Sequence, residues 1–156
     1  MNELSEPEIL REACALAAAQ LGGTLGTVHS EDATPYLTFV LFHLLDDGRL
    51  LFGSGGGPQH SRNIAATPEV SFLIDNRAAV TGDWNTFDRV VIEGQAAVVP
   101  KDDPRFQGFI DSMAAKNETA AFFTRRGNLF CIQPRRLIMM RGLQPNRYIV
   151  DFGRDQ

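Results

Sequence analysis

The chain has 156 residues, 44% hydrophobic and 22% charged, a balance typical of ordinary globular proteins, and the length suits one domain over residues 1–156. A net charge of −4 excludes the broad basic field of a nucleic-acid binder, and no apolar run is long enough to span a membrane. The acidic start, four glutamates within the first twelve residues, has the character of neither a secretory signal nor a transit peptide, so a cytoplasmic protein is expected.

Ser5-Glu6-Pro7-Glu8 has the form of a capping box with proline inside the first turn. Ile9, Ala13, Leu16, Ala17 and Leu21 follow at helical spacing, and Gly22-Gly23 is expected to end that helix. Residues 24–28 read as a short strand. Residues 36–44, rich in β-branched and aromatic side chains, read as a long one. Asp46-Asp47-Gly48 forms a hairpin turn into a returning strand over residues 49–53.

The next stretch, Phe-Gly-Ser-Gly-Gly-Gly-Pro-Gln-His-Ser-Arg-Asn over residues 52–63, carries the most chemical information. Four glycines in five positions precede Pro58, whose fixed φ suits the first helical position. A glycine turn feeding a helix N-terminus offers free backbone N–H groups and a favourable dipole to an anion. Ser61, Arg62 and Asn63 add a hydroxyl, a guanidinium and an amide, a donor set suited to phosphate. The same residues also fit a flexible hairpin exit followed by a surface helix.

Thr67-Pro68 closes this helix, and residues 70–75 form a strand. Residues 76–87 read as a loop that holds Trp84, the chain's single tryptophan, suited to stacking on a planar ligand or to covering a barrel end. Residues 89–99 form a strand with a bulge expected at Gly94. Asp103-Pro104 caps a helix that places Phe106, Phe109, Ile110 and Met113 on one face. Runs at 128–133, 137–141 and 148–152 complete the strands. From Thr119 to Val150 there are six arginines and no acidic residue, which suits an anionic ligand, an acidic partner or an ion-paired interface.

Helices do not separate the strands one by one, so a doubly wound sheet is not expected. The reading is mainly β (α+β): a six- to seven-stranded antiparallel barrel, closed or partly open, with two to three flanking helices. Several chemistries are excluded. A Walker A loop and a dinucleotide-binding glycine pattern both fail at Pro58-Gln59. His29, His43 and His60 lack metal-site spacing, so no metal is expected. No Gly-x-Ser-x-Gly elbow is present. Cys14 and Cys131 form no CxxC pair and are expected as free thiols. No catalytic residue is named.

The order of signals resembles the FMN-binding split-barrel family, the relatives of pyridoxamine 5′-phosphate oxidase, most closely the haem-utilisation branch. The resemblance rests on Gly23-Thr24-Leu25-Gly26-Thr27, Pro35-Tyr36-Leu37-Thr38-Phe39-Val40 and Phe52-Gly53-Ser54. It continues through Gln59-His60-Ser61-Arg62-Asn63-Ile64, Pro68-Glu69-Val70-Ser71 and Arg89 to Ala96, and covers residues 8–150. It implies a split barrel that forms a homodimer with FMN at the interface. Thr38, Phe39 and Val40 would line the flavin ring with backbone groups, and Gly53 and Ser54 would approach the ribityl-phosphate end. Ser61, Arg62 and Asn63 would hold the phosphate with His60 beside them, and Arg89 would lie near the ring of its own or the partner subunit's flavin. The implied activity is FMN-dependent oxidoreduction of a small-molecule substrate. The alternatives are a non-catalytic flavin or haem protein and a deazaflavin-dependent reductase. The Arg-Leu-x-Pro segment of the vitamin B6 enzymes is missing, and the last histidine is His60, whereas haem-degrading relatives use one near the C-terminus.

Overall fold

The computed structural model describes residues 3–55 and 58–153. Helix α1 (Glu6–Ala18) begins at the expected capping box: Glu8 N donates to Ser5 Oγ at 3.3 Å and Ser5 N to Glu8 Oε2 at 3.3 Å. It buries Ile9, Ala13 and Ala17 against the barrel. Gly22 and Gly23 do not end it. Both belong to strand β1 (Gly22–Val28), where a Cβ would meet the Phe39 ring at 2.3 Å and the Phe72 ring at 2.4 Å. These glycines make room for aromatic packing.

The remaining elements are β2 (Pro35–Leu44), β3 (Leu50–Ser54), α2 (Gln59–Ala66), β4 (Glu69–Asp75), β5 (Asp88–Val99), α3 (Phe106–Lys116), α4 (Glu118–Arg126), β6 (Asn128–Arg141) and β7 (Arg147–Asp151). Two short 3₁₀ turns, Arg77–Ala79 and Trp84–Thr86, occupy the segment read as loop. Helix α4 was not anticipated; it follows α3 directly and is capped by Asn117, whose side chain accepts from Ala120 N at 3.1 Å. Asp103 is not the cap of α3. Arg105 holds that position, and the Asp103 carboxylate accepts from the Arg105 backbone N at 2.8 Å.

The seven strands run in the order β3-β2-β1-β4-β5-β6-β7, and a further β3–β6 pairing closes six of them into an antiparallel barrel. The two runs expected at 128–133 and 137–141 are one strand, β6. Its break is a register shift opposite Glu93/Gly94, where Gly94 pairs with Pro134. A Cβ on Gly94 would lie 2.2 Å from Gln133 O, so the glycine lets the two backbones meet and the strand bend without ending.

Alternation sends Phe42, Phe52 and Phe72 into the barrel with Leu25, Ile74 and Ile92. Phe52 and Phe130 stack with centroids 5.0 Å apart. A second core lies outside the barrel, where Leu51 and Leu129 meet Phe109, Ile110 and Met113 of α3. Strand β3 is covered on both faces and reads as a nearly continuous apolar run. Among the described residues no helix is long and apolar enough to cross a membrane.

Closure is incomplete at one seam. Strand β2 pairs with β3 only from Phe42↔Phe52 to Leu44↔Leu50, while its other edge pairs with β1 from Pro35 to Leu41. Residues 35–41 therefore keep an edge without a strand partner among the described residues. At the bulge, Gly94→Ala is expected to cost about 1–3 kcal/mol by forcing the crowded backbones apart. Urea unfolding followed by circular dichroism measures it; an unchanged midpoint would refute the close-approach account.

Candidate functional site

Strand β3 ends at Ser54, beside the open seam, and the chain turns there into α2. Two close approaches fix this corner. A Cβ on Gly53 would lie 1.9 Å from Thr124 Oγ1, and one on Gly127 would lie 2.0 Å from Ser54 O. The α4–β6 junction thus presses directly on the β3 terminus. Pro58 is the N-cap of α2 and not its first helical residue, with extended backbone (φ −70°, ψ 160°). Of the glycine turn, Gly56 and Gly57 lie outside the described residues.

The buried polar cluster centres on Ser54. Its Oγ donates to Gly55 O at 2.9 Å and lies 2.8 Å from His60 Nε2 and 3.2 Å from Ser61 Oγ. Because the hydroxyl proton goes to the Gly55 carbonyl, the network assigns the His60 proton to Nε2, donating to Ser54. Burial lowers the His60 pKa and keeps the ring neutral. A serine that gives its proton to a carbonyl is not activated by its histidine, so this pair orders the corner and is no hydrolytic dyad.

Asn63 is fully buried and ties α2 to the end of β1. Its Oδ1 accepts from Ser30 N and Gln59 Nε2, both at 2.8 Å, and its Nδ2 donates to Thr27 Oγ1 at 2.9 Å. These bonds give Asn63 a positioning role. Arg62 is exposed on the same helix and donates from Nη2 to Gln59 Oε1 at 2.6 Å. Ser54, His60, Ser61, Arg62 and Asn63 are thus brought into one corner.

Thr38, Phe39 and Val40 lie on the β2 stretch that keeps its free edge. The Val40 side chain is buried in the core, and the Phe39 ring is 65% exposed on the outer face. What this stretch turns toward the seam is backbone. Arg89 is not brought to the corner of its own chain. It pairs with Asp75 and Met140 at the far end of β6, whereas Ser54 pairs with Asn128 at its start. Arg89 Nη2 donates to Gly142 O at 3.2 Å, its guanidinium lies 5.2 Å from the Phe87 ring centroid, and its buried Nε has no hydrogen-bond partner among the described residues. Trp84 packs edge-on against Phe87 at 5.5 Å and is half-exposed.

Among the described residues, three of the six arginines in the arginine-rich segment are ion-paired. Arg135 meets Glu69, Arg136 meets Glu93 and Asp151, and Arg141 meets Glu12. Arg126 is different: with Phe123 and Thr124 of α4 it borders a cleft of about 330 Å³ that Gly53, Ser54 and Leu41 complete. Sequence reasoning missed this α4 wall. The available signals were Asn117-Glu118 as a helix start and the lone Gly127 as its end.

The buried neutral His60 has a consequence for pH. Its folded pKa lies below the unfolded value of about 6.5. As pH falls through that value the unfolded chain takes up a proton and the folded chain does not, so stability drops. His43, lowered by burial and then by Lys116, acts in the same direction. Between about pH 7.5 and about pH 5.5, His60→Gln, which keeps a donor near Ser54, is expected to lose less stability than the parent. Equal losses in urea titrations at the two pH values would contradict this.

Comparison with known proteins adds the family. No curated protein matches the chain. Among solved structures, a haem-binding protein from Mycobacterium smegmatis shares 20% identity with a TM-score of 0.78, over 97% of this chain and 60% of that one. HutZ, the haem storage protein of Vibrio cholerae, shares 18% with a TM-score of 0.69, over 85% and 93%. A Clostridium acetobutylicum protein related to general stress protein 26, of the pyridoxine-phosphate oxidase family, shares 10% with a TM-score of 0.67, over 96% and 97%. At these identities the likeness is one of fold, and this chain spans only about three-fifths of the mycobacterial protein. The model of the pyridoxamine 5′-phosphate oxidase family matches residues 9–137, and the chain belongs to that family.

Proposed function

We propose that the seam between β2 and β3 is a flavin cleft and that the protein is an FMN-dependent oxidoreductase acting as a homodimer. The observation that carries this reading is the backbone edge of residues 35–41, without a strand partner among the described residues, running beside the polar corner at Ser54 and α2. An isoalloxazine ring needs a flat apolar slot edged by donors and acceptors, and a phosphate needs hydroxyl, cationic and helix-terminal donors. The backbone of Thr38–Val40 serves the first need. Ser61, Arg62 and the first turn of α2 serve the second. Ser54 and His60 brace the corner, and Asn63 holds α2 in place.

FMN, when bound, supplies hydride and electron transfer, while the protein supplies orientation and electrostatics. Arg126 is the one charged residue among the described residues lining the cleft, and it suits an anionic substrate. The exposed Leu37 and Phe39 of β2, Leu21 just before β1, and Phe122 and Phe123 on α4 supply an apolar surface for the second copy. In such a dimer, Arg89 and its buried unpartnered Nε would serve the partner's cleft.

Haem in the same cleft is the second reading, favoured by the haem-binding and haem-storage neighbours. His60 is the histidine of the corner, and its Nε2 is held by Ser54. A deazaflavin is the third. Titration with FMN, haem and deazaflavin ranks the three, and steady-state turnover with NADH or NADPH separates an enzyme from a carrier.

Arg62→Ala is expected to weaken FMN binding by about tenfold or more, the loss of one charged hydrogen bond. Unchanged affinity by fluorescence titration would overturn the phosphate assignment. Leu37→Glu combined with Phe39→Glu is expected to give monomers that no longer retain FMN. A flavin-loaded dimer in light scattering would contradict the interface.

A further inference from the structure

Away from the glycine turn, the ends of α1 and α3 meet β2 around a cavity of about 500 Å³, bordered by Ala18, His43, Leu44, Ser112, Ala115 and Lys116. The only other lysine in the sequence, Lys101, is exposed in a turn. Lys116 is half-buried. Its Nζ donates to Phe42 O at 2.8 Å and lies 3.7 Å from the centroid of the Phe42 ring. The amine is therefore held against Phe42, on a residue that lines the cavity together with His43 and Ser112.

A neutral amine can keep the bond to the Phe42 carbonyl through one N–H and still present its lone pair. Burial pushes the Lys116 pKa down to about 8, so at neutral pH it holds on the order of a hundredfold more free amine than an ordinary lysine. The same burial keeps His43 neutral, with the charge of Lys116 adding to the effect and Asp46 opposing it. A neutral imidazole can relay protons at this pH. The rest of the wall is apolar, from Ala18, Leu44 and Ala115.

We propose that Lys116 is a nucleophilic amine that forms an imine with a small aldehyde of apolar body bound in this cavity. The Nζ lone pair attacks the carbonyl carbon, forming a C–N bond and a carbinolamine. The carbinolamine C–O bond then breaks, and the oxygen leaves as water with the two protons that the amine loses. No oxidant or reductant is needed. His43 and Ser112, which line the same cavity, can carry those protons.

The test uses the intact protein, benzaldehyde as probe and borohydride to trap the imine as a stable amine, with peptide mass spectrometry as the readout. Lys116 is expected to label at least about tenfold faster than Lys101, reflecting its larger share of free amine, and its rate should saturate with benzaldehyde concentration. Lys116→Arg, which keeps a cation against Phe42, should melt like the parent and lose the fast label. Labelling of Lys116 no faster than Lys101, or a rate that stays linear in benzaldehyde, would overturn the proposal.

Discussion

The structure depends on how β3 is shared. Five residues of β3, Leu50 to Ser54, pair with β6 along their whole length, while only three of them pair with β2. Closing the barrel through β6 satisfies β3 and buries Phe52 against Phe130. It also leaves β2 with an edge that continues past its partner. An unpaired edge is ordinarily a liability, because its N–H and C=O groups invite another chain. Here it sits beside α4 and the Ser54 corner, where a ligand with its own donors and acceptors can meet it.

Close backbone contact makes that corner rigid. Gly53 leaves room for the Thr124 side chain of α4, and Gly127 lets its backbone approach that of Ser54. Ser54, His60 and Ser61 then join the strand end to α2, and Asn63 joins α2 to β1 through Thr27 and Ser30. Four separate segments thus depend on a few buried or part-buried hydrogen bonds. Buried networks of this kind fix one arrangement when every member has a partner, which suits a site that must hold a cofactor in a single orientation.

Much of this was legible in the sequence because local rules and the tertiary outcome agreed. The capping box at Ser5, the Asp46-Asp47-Gly48 hairpin and the β-branched and aromatic run of β2 each carry a signature that packing did not override. The bulge at Gly94 was legible for the same reason. Other elements failed for identifiable causes. Gly22-Gly23 looked like a helix stop, yet the glycines answer to two aromatic rings that lie far along the chain. Pro134 split β6 on paper, whereas the glycine opposite absorbs the bend. Helix α4 is only nine residues long and follows α3 without a linker, so its apolar period was too short to stand out. Within the site, the residue types at Ser61, Arg62 and Asn63 suggested phosphate. That Asn63 would spend its amide inside the protein, and that Arg89 would lie at the other end of β6, are facts of register and barrel closure that spacing alone does not carry.

The most direct measurement is a crystal structure of the protein with FMN. The account predicts the flavin ring edge-on to the backbone of residues 38–40 in the β2–β3 seam, with the phosphate at Ser61, Arg62 and the start of α2. FMN bound elsewhere, or a seam filled by side chains of the same chain, would contradict it.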